Sequence, residues 1–202
     1  MIGGLVLAAG AGARFGGGKQ LAELGGRPLL EHALRAMADS PVDRTLVVLG
    51  FGAEQVLAEV DLYGAEPVVC ERWAEGQSAS LAFGLARLEE AEAVAVTLGD
   101  QPRTAPEAIR RVLAARDGYA LAVRATYGGK PGHPVVLERE LLPRLRDVTG
   151  DRGARNVLLS VATREVPCDD LGGGEDVDTP EQLDALRALA ADARPPVGRA
   201  LP

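Results

Sequence analysis

A chain of 202 residues that is 47% hydrophobic, 25% charged and only 3% aromatic has ample material for a core, and that core must be aliphatic. This composition excludes a disordered, collagen-like or disulfide-stapled chain. The formal net charge of -7 excludes nonspecific nucleic-acid binding, which depends on clustered Lys and Arg, but leaves room for a local basic pocket.

The N-terminus is apolar but lacks the positive region of a signal peptide, its first charge being Arg14. Ile2–Leu7, Thr45–Leu49, Pro67–Cys70 and Ala93–Leu98 read as short buried strands. Between and after them lie amphipathic stretches predicted to be helical: Pro28–Ala38, Ala53–Val60, Ser78–Leu88 and Pro106–Ala115. Strand alternating with helix implies right-handed crossovers and a parallel sheet covered on both faces, an α/β architecture. The second half is less regular. Tyr119–Thr126 reads as a strand, 128–132 as a glycine-rich turn and Val135–Leu137 as the return. Glu140–Arg146 and Arg155–Val161 read as short helices, Arg164–Pro167 as a late strand and Pro180 to about Ala191 as a final helix. Residues 1–192 are expected to form one domain, and 193–202, rich in Pro and Arg, a frayed tail. Cys70 and Cys168 have no metal-ligating or redox spacing and read as free thiols in a reducing compartment. No apolar run nears the roughly 20 residues of a membrane span. A cytoplasmic protein with no membrane partner is expected.

The first strand runs into Leu7-Ala8-Ala9-Gly10-Ala11-Gly12-Ala13-Arg14-Phe15-Gly16-Gly17-Gly18-Lys19. Small residues let backbone N–H groups approach an anion or a flat base, and Arg14 and Lys19 add positive charge. A Walker loop fails here: Ala13 stands where its first Gly belongs, and Gln20 replaces the magnesium-binding hydroxyl. A dinucleotide loop fits poorly, because Phe15 takes its third Gly position and the second strand ends Leu49-Gly50-Phe51 without an acid for the ribose. It stays open as an alternative. The nucleotidyltransferase pattern LxAGxxxRxGxxK fits throughout. An ordinary βα turn carrying two solvated cations is the plain structural reading.

Thr97-Leu98-Gly99-Asp100-Gln101-Pro102 follows the fourth strand, so Asp100 would emerge at the strand edge that lines the ligand crevice. Asp176 and Asp178 share one side of an extended segment before Thr179-Pro180, where Asp178 is either a helix cap or a metal ligand. Asp100 is likewise either a turn residue or a ligand. Two carboxylates from distant segments suit magnesium.

Together LVLAAGAGARFGGGK, GRPLLEHAL, EGQSASL, LGDQPR, GHPVVL, GDRGARNVL and DVDTPEQL resemble the molybdenum cofactor nucleotidyltransferase family, most closely its molybdopterin cytidylyltransferase branch. The resemblance runs in family order from Leu5 to about Leu183. It implies a three-layer α/β/α, Rossmann-like nucleotidyltransferase fold that binds NTP·Mg²⁺ and transfers NMP to a phosphorylated pterin-type acceptor. Leu7, Ala8, Ala9, Gly10, Ala11 and Gly12 would then contact base and ribose, with Gly99 beside them, and Gly76, Gln77 and Ser78 would lie over base and sugar. Arg14 and Lys19 would hold the β,γ-phosphates. Asp100 and Asp178 would hold magnesium, and His133, Arg152 and Arg155 would face the acceptor. Ala9 resembles the CTP-using branch. The same group includes GTP users, enzymes with other acceptors and pyridine-dye oxidoreductases using NAD(P)H. Transient contact with a molybdoenzyme or its chaperone is also implied.

His133 and the two arginines have plainer readings as turn packing and helix solvation. Trp73 either covers the site or simply packs.

Overall fold

A computed structural model describes residues 1–146, 148 and 153–192. Strands β1 (Ile2–Ala8), β2 (Glu23–Leu24), β3 (Arg27–Pro28), β4 (Arg44–Leu49) and β5 (Glu66–Val69) fall in the first third of the chain, with helices α1 (Leu29–Ala38) and α2 (Ala53–Glu59) between them. Then come α3 (Gln77–Leu85), β6 (Ala93–Leu98), α4 (Pro106–Ala114), β7 (Ala122–Tyr127), β8 (Lys130–Glu138), α5 (Leu142–Arg146), α6 (Gly153–Leu159), β9 (Thr163–Pro167) and α7 (Pro180–Asp192).

Seven strands form one sheet in the order β5-β4-β1-β6-β8-β7-β9. Only β8 runs against its neighbours, antiparallel to both β6 and β7; the other pairs are parallel. Alternation along β1 sends Val6 and Ala8 to one face and Leu5, Leu7 and Ala9 to the other. The first face packs on α1, α2 and α4 through Leu30, Met37, Val56, Ile109 and Val112. The second packs on α3 and α5 through Leu81, Leu85, Leu142 and Leu145. This is the three-layer arrangement expected, with an almost wholly aliphatic core.

From β1 the chain winds outward through β4 to β5, then returns to β6 on the opposite side of β1. The winding reverses between β1 and β6, so the segments leaving these two strands part and leave a crevice at their carboxyl ends. The glycine-rich loop follows β1 and Asp100 follows β6.

Three local differences from the sequence-based expectation have clear causes. Asp117 Oδ1 accepts hydrogen bonds from the N–H groups of Tyr119 and Ala120 at 2.9 and 3.0 Å, which folds those residues into a turn and delays β7. The expected five-residue turn shrinks to Gly128-Gly129, both at positive φ (57° and 70°), so Lys130 already pairs with Tyr127. The β2–β3 hairpin was not anticipated from the sequence. Leu24 of the hairpin and Leu29, which opens α1, form a separate apolar cluster with Val177 and Leu183, which docks the last helix beside the loop. The expected tail, 193–202, lies outside the described residues. Cys70 and Cys168 are buried and unpaired. Among the described residues no helix is long and apolar enough to cross a membrane.

Candidate active site

Three backbone hydrogen bonds assemble the crevice. The Gly99 N–H donates to the Leu7 carbonyl at 2.9 Å, binding the end of β6 to that of β1. The Val177 N–H donates to the Asp100 carbonyl at 2.9 Å, bringing a segment 77 positions away alongside Asp100. Phe51 N–H donates to the Ala9 carbonyl at 3.0 Å, tying the loop to the end of β4. Gly99 was expected to admit a ligand; here a Cβ at that position would also lie 2.9 Å from both Ala8 Cβ and Leu30 Cδ1, so packing alone demands the glycine.

The side chains then converge. Lys19 Nζ donates to Asp100 Oδ2 at 2.6 Å and to Asp178 Oδ1 at 3.2 Å, while Arg14 Nη2 lies 2.9 Å from Asp178 Oδ2. Asp178 is therefore not the cap of α7. Thr179 Oγ1 accepts from the Gln182 N–H, and Gln182 Oε1 accepts from the N–H groups of Asp178 and Thr179, a reciprocal box that leaves the Asp178 carboxylate to the site. Burial alone would push the Lys19 pKa down. The charge and hydrogen bond of Asp100, then those of Asp178, more than offset this, and the net shift is upward. Lys19 stays an ammonium.

Asp100 Oδ1 is buried with no hydrogen-bond partner. An orphaned carboxylate oxygen beside a second carboxylate, the pair balanced by the Lys19 ammonium and the Arg14 guanidinium, is a hard-oxygen donor set suited to Mg²⁺ or Mn²⁺. Among the described residues no third His, Cys, Asp or Glu completes a metal cage, so further ligands would have to come from phosphate oxygens or water.

Gln20 has a supporting role that the sequence reading missed, having weighed it only against a Walker loop. It is 4% exposed, and its Nε2 donates to the carbonyls of Ala8 (3.0 Å) and Gly10 (2.7 Å). These bonds turn two carbonyls toward the protein and fix the start of the loop.

Two adjoining cavities open at this edge, of about 370 and 470 Å³, and Leu7, Gln77 and Leu98 line both. Into the first face Leu7, Ala8, Ala9, Gly10, Gly12, Arg14, Lys19, Gly76, Gln77, Gly99, Asp100 and Asp178, nearly the whole expected set. Ala11 stands outside both linings. Ser78 turns to the second cavity instead, where its buried hydroxyl accepts from the Ala154 N–H at 3.4 Å. The second cavity also receives His133 and Arg155 between walls of Leu, Val and Pro. Arg152 lies outside the described residues.

A polar end to this second cavity was not foreseen. Gln101, 3% exposed, donates through Nε2 to Asp176 Oδ1 at 2.7 Å, and its Oε1 is buried without a partner. Crowding by protein pushes the Asp176 carboxyl up even though part of the residue meets solvent; Gln101 opposes this and the neighbouring carboxylates add to it. His133 keeps some solvent contact, but the protein around its ring pushes its pKa down to about 4 against a small opposing pull from Asp100. The imidazole is neutral at pH 7.

A glycine loop at a topological switch point, its lysine and arginine in contact with two carboxylates at the edge of a cavity, is the arrangement of a nucleotide-binding α/β enzyme. Residues 4–166 match the MobA-like NTP transferase domain; the chain belongs to this family and is a nucleotidyltransferase. It is 34% identical over 190 residues to the nicotine blue oxidoreductase of Paenarthrobacter nicotinovorans, covering 89% of this chain and 93% of that protein. It spans about a third (32%) of the bifunctional protein GlmU of Cereibacter sphaeroides, to which it is 36% identical over 144 residues. The crystal structure of Rv0371c from Mycobacterium tuberculosis H37Rv superposes with a TM-score of 0.84 at 32% identity, covering 93% of this chain and 97% of that one. A manganese complex of that protein superposes with a TM-score of 0.80 at 30% identity, covering 93% of this chain and 98% of that one.

Proposed function

We propose that the chain transfers CMP from CTP to the terminal phosphate of molybdopterin and releases pyrophosphate. The observation that carries the transferase geometry is the meeting of Lys19 and Arg14 with Asp100 and Asp178 where two cavities adjoin. In this reading the first cavity takes the nucleotide and the second the acceptor. An acceptor phosphate oxygen forms a bond to the α-phosphorus, and the bond from that phosphorus to the β-phosphate oxygen breaks.

A phosphomonoester has a second pKa of about 6 and is largely ionised at neutral pH, so no strong base is required. What the protein supplies is alignment and relief of repulsion between two anions. Gln20 holds the loop, and Lys19 and Arg14, already poised against carboxylates, supply positive charge to the phosphates. Asp100 and Asp178 would hold a divalent ion such as Mg²⁺, which would supply further neutralisation of phosphate charge. His133, neutral at pH 7, offers a hydrogen bond rather than a charge, so the cations for an anionic acceptor are Arg155 and Arg124, which line the second cavity with Arg124 paired to Glu165, and Arg152. The choice of CTP rests on Ala9 and on the segment Gly76-Gln77-Ser78-Ala79-Ser80-Leu81, both of which resemble the CTP-using branch. Unpaired buried thiols at Cys70 and Cys168 support a cytoplasmic setting.

The test is pyrophosphate release with CTP, GTP, ATP or UTP, each with Mg²⁺ and a molybdopterin acceptor. Release confined to CTP supports the proposal; release with GTP alone, or with no nucleotide, sinks it. A second reading, reduction of a dye by NAD(P)H on this scaffold, draws on the relative named nicotine blue oxidoreductase. Stabilisation by NADPH without any response to CTP and Mg²⁺ would favour it.

A further inference from the structure

We infer that Trp73 forms the platform on which the nucleobase stacks, and so contributes nucleotide affinity independently of the phosphate-binding groups. The inference rests on the nucleotide reading of the first cavity. Aromatic residues are scarce in this chain, with one Trp, three Phe and three Tyr, yet the Trp lines this cavity. Trp73 opens a 3-10 turn, Trp73–Glu75, between β5 and α3, and is partly buried.

Its ring is held from two sides. A Cβ on Gly50 would lie 2.6 Å from Trp73 Cγ and 2.6 Å from the Ala9 carbonyl, so only glycine lets the indole press against the end of β4 beside the loop. Phe51 meets it edge to face, centroids 5.7 Å apart and planes at 73°, and the Phe51 N–H is bound to that same Ala9 carbonyl. The side chain is thus locked to the backbone of the glycine-rich loop.

The cavity is also divided by polarity. Its charged groups, Arg14, Lys19, Asp100 and Asp178, contact one another. The lining from the Trp73 segment, by contrast, is uncharged: Trp73 and Ala74, then Gly76, Gln77 and Ser80. A nucleoside triphosphate has the same division, an anionic tail and a flat, uncharged base. A fixed aromatic wall fits the base, because every base has a π face.

Trp73 is the chain's single tryptophan, so its fluorescence reports this position alone. The experiment titrates CTP, CMP and inorganic tripolyphosphate, each with Mg²⁺, following tryptophan emission and calorimetry in parallel. CTP and CMP should quench Trp73 and tripolyphosphate should not. Trp73→Ala should weaken CTP and CMP about tenfold while leaving tripolyphosphate affinity unchanged, and Trp73→Phe should retain most of the affinity. Equal loss of CTP and tripolyphosphate affinity, or no loss, overturns the inference. So does calorimetric CTP binding that leaves emission unchanged, an outcome readable on the wild-type chain if Trp73→Ala fails to fold. Absence of nucleotide binding to the wild-type protein would instead remove the proposed nucleotide site, and this inference with it.

Discussion

Replacing Lys19 with Met isolates the charge balance of the crevice, because Met keeps most of the side-chain volume and removes the ammonium. Two charge-assisted hydrogen bonds disappear, at 2.6 and 3.2 Å, and Asp100 and Asp178 lose the cation between them. Breaking a fully buried pair costs about 3–5 kcal/mol, since a charge is left uncompensated. Lys19 is only 12% exposed, but the carboxylates are 23% and 22% exposed and water recovers part of the cost. A loss of about 2 kcal/mol is expected, which for a chain of this length lowers Tm by about 4–8 °C.

Removing the ammonium also frees the carboxylates for a divalent ion. At a metal concentration of about 100 Kd the stabilisation reaches about 2.7 kcal/mol, enough to cancel the loss. In the wild-type protein the metal must compete with Lys19, so metal alone should shift Tm little. The assay is thermal unfolding of both proteins in EDTA and in Mn²⁺ or Mg²⁺. Equal stability of the two proteins in EDTA, or metal stabilising the wild type as much as Lys19→Met, would refute the reasoning.

Two further substitutions test the supporting geometry. Gln20→Leu removes both bonds to the Ala8 and Gly10 carbonyls, each worth about 1 kcal/mol, and should lower both Tm and nucleotide affinity in parallel titrations. The His133 pKa, about 4 in the folded chain, lies below the 6.5 of an unperturbed imidazole. As pH falls from 6.5 toward 4 the unfolded chain takes up a proton that the folded chain refuses, so stability falls through this window. In His133→Asn, denaturant unfolding at pH 7 and pH 4.5 should show a smaller acid loss than in the wild type.

The strand-helix alternation and the loop after β1 were legible because both are local. Buried strands are short aliphatic runs, and LxAGxxxRxGxxK needs no tertiary information. Asp100 was legible by the same logic, as the residue leaving the next buried strand. Asp178 was only half legible, since its neighbourhood fits a cap as well as a ligand. What settles its direction is the Gln182–Thr179 box, a local pattern already present in Thr179-Pro180-Glu181-Gln182, together with the docking of Val177 and Leu183 on Leu24 and Leu29, contacts between opposite ends of the chain that no local pattern shows. The strands of the β2–β3 hairpin are two residues each, too short for any periodicity to show. The Gln101–Asp176 pair was invisible for a similar reason: a polar contact 75 residues apart leaves no mark on either local pattern. Ser78 sits one residue into α3, and the rotation of that helix sends it to the second cavity rather than the first.

The most direct measurement is Mn²⁺ binding by electron paramagnetic resonance in the presence of CTP, comparing the wild type with Asp100→Ala and Asp178→Ala. The wild type should take up manganese with the nucleotide, and each alanine variant, still folded by circular dichroism, should leave most of it free in solution. Undiminished uptake by both variants would contradict the two-carboxylate site.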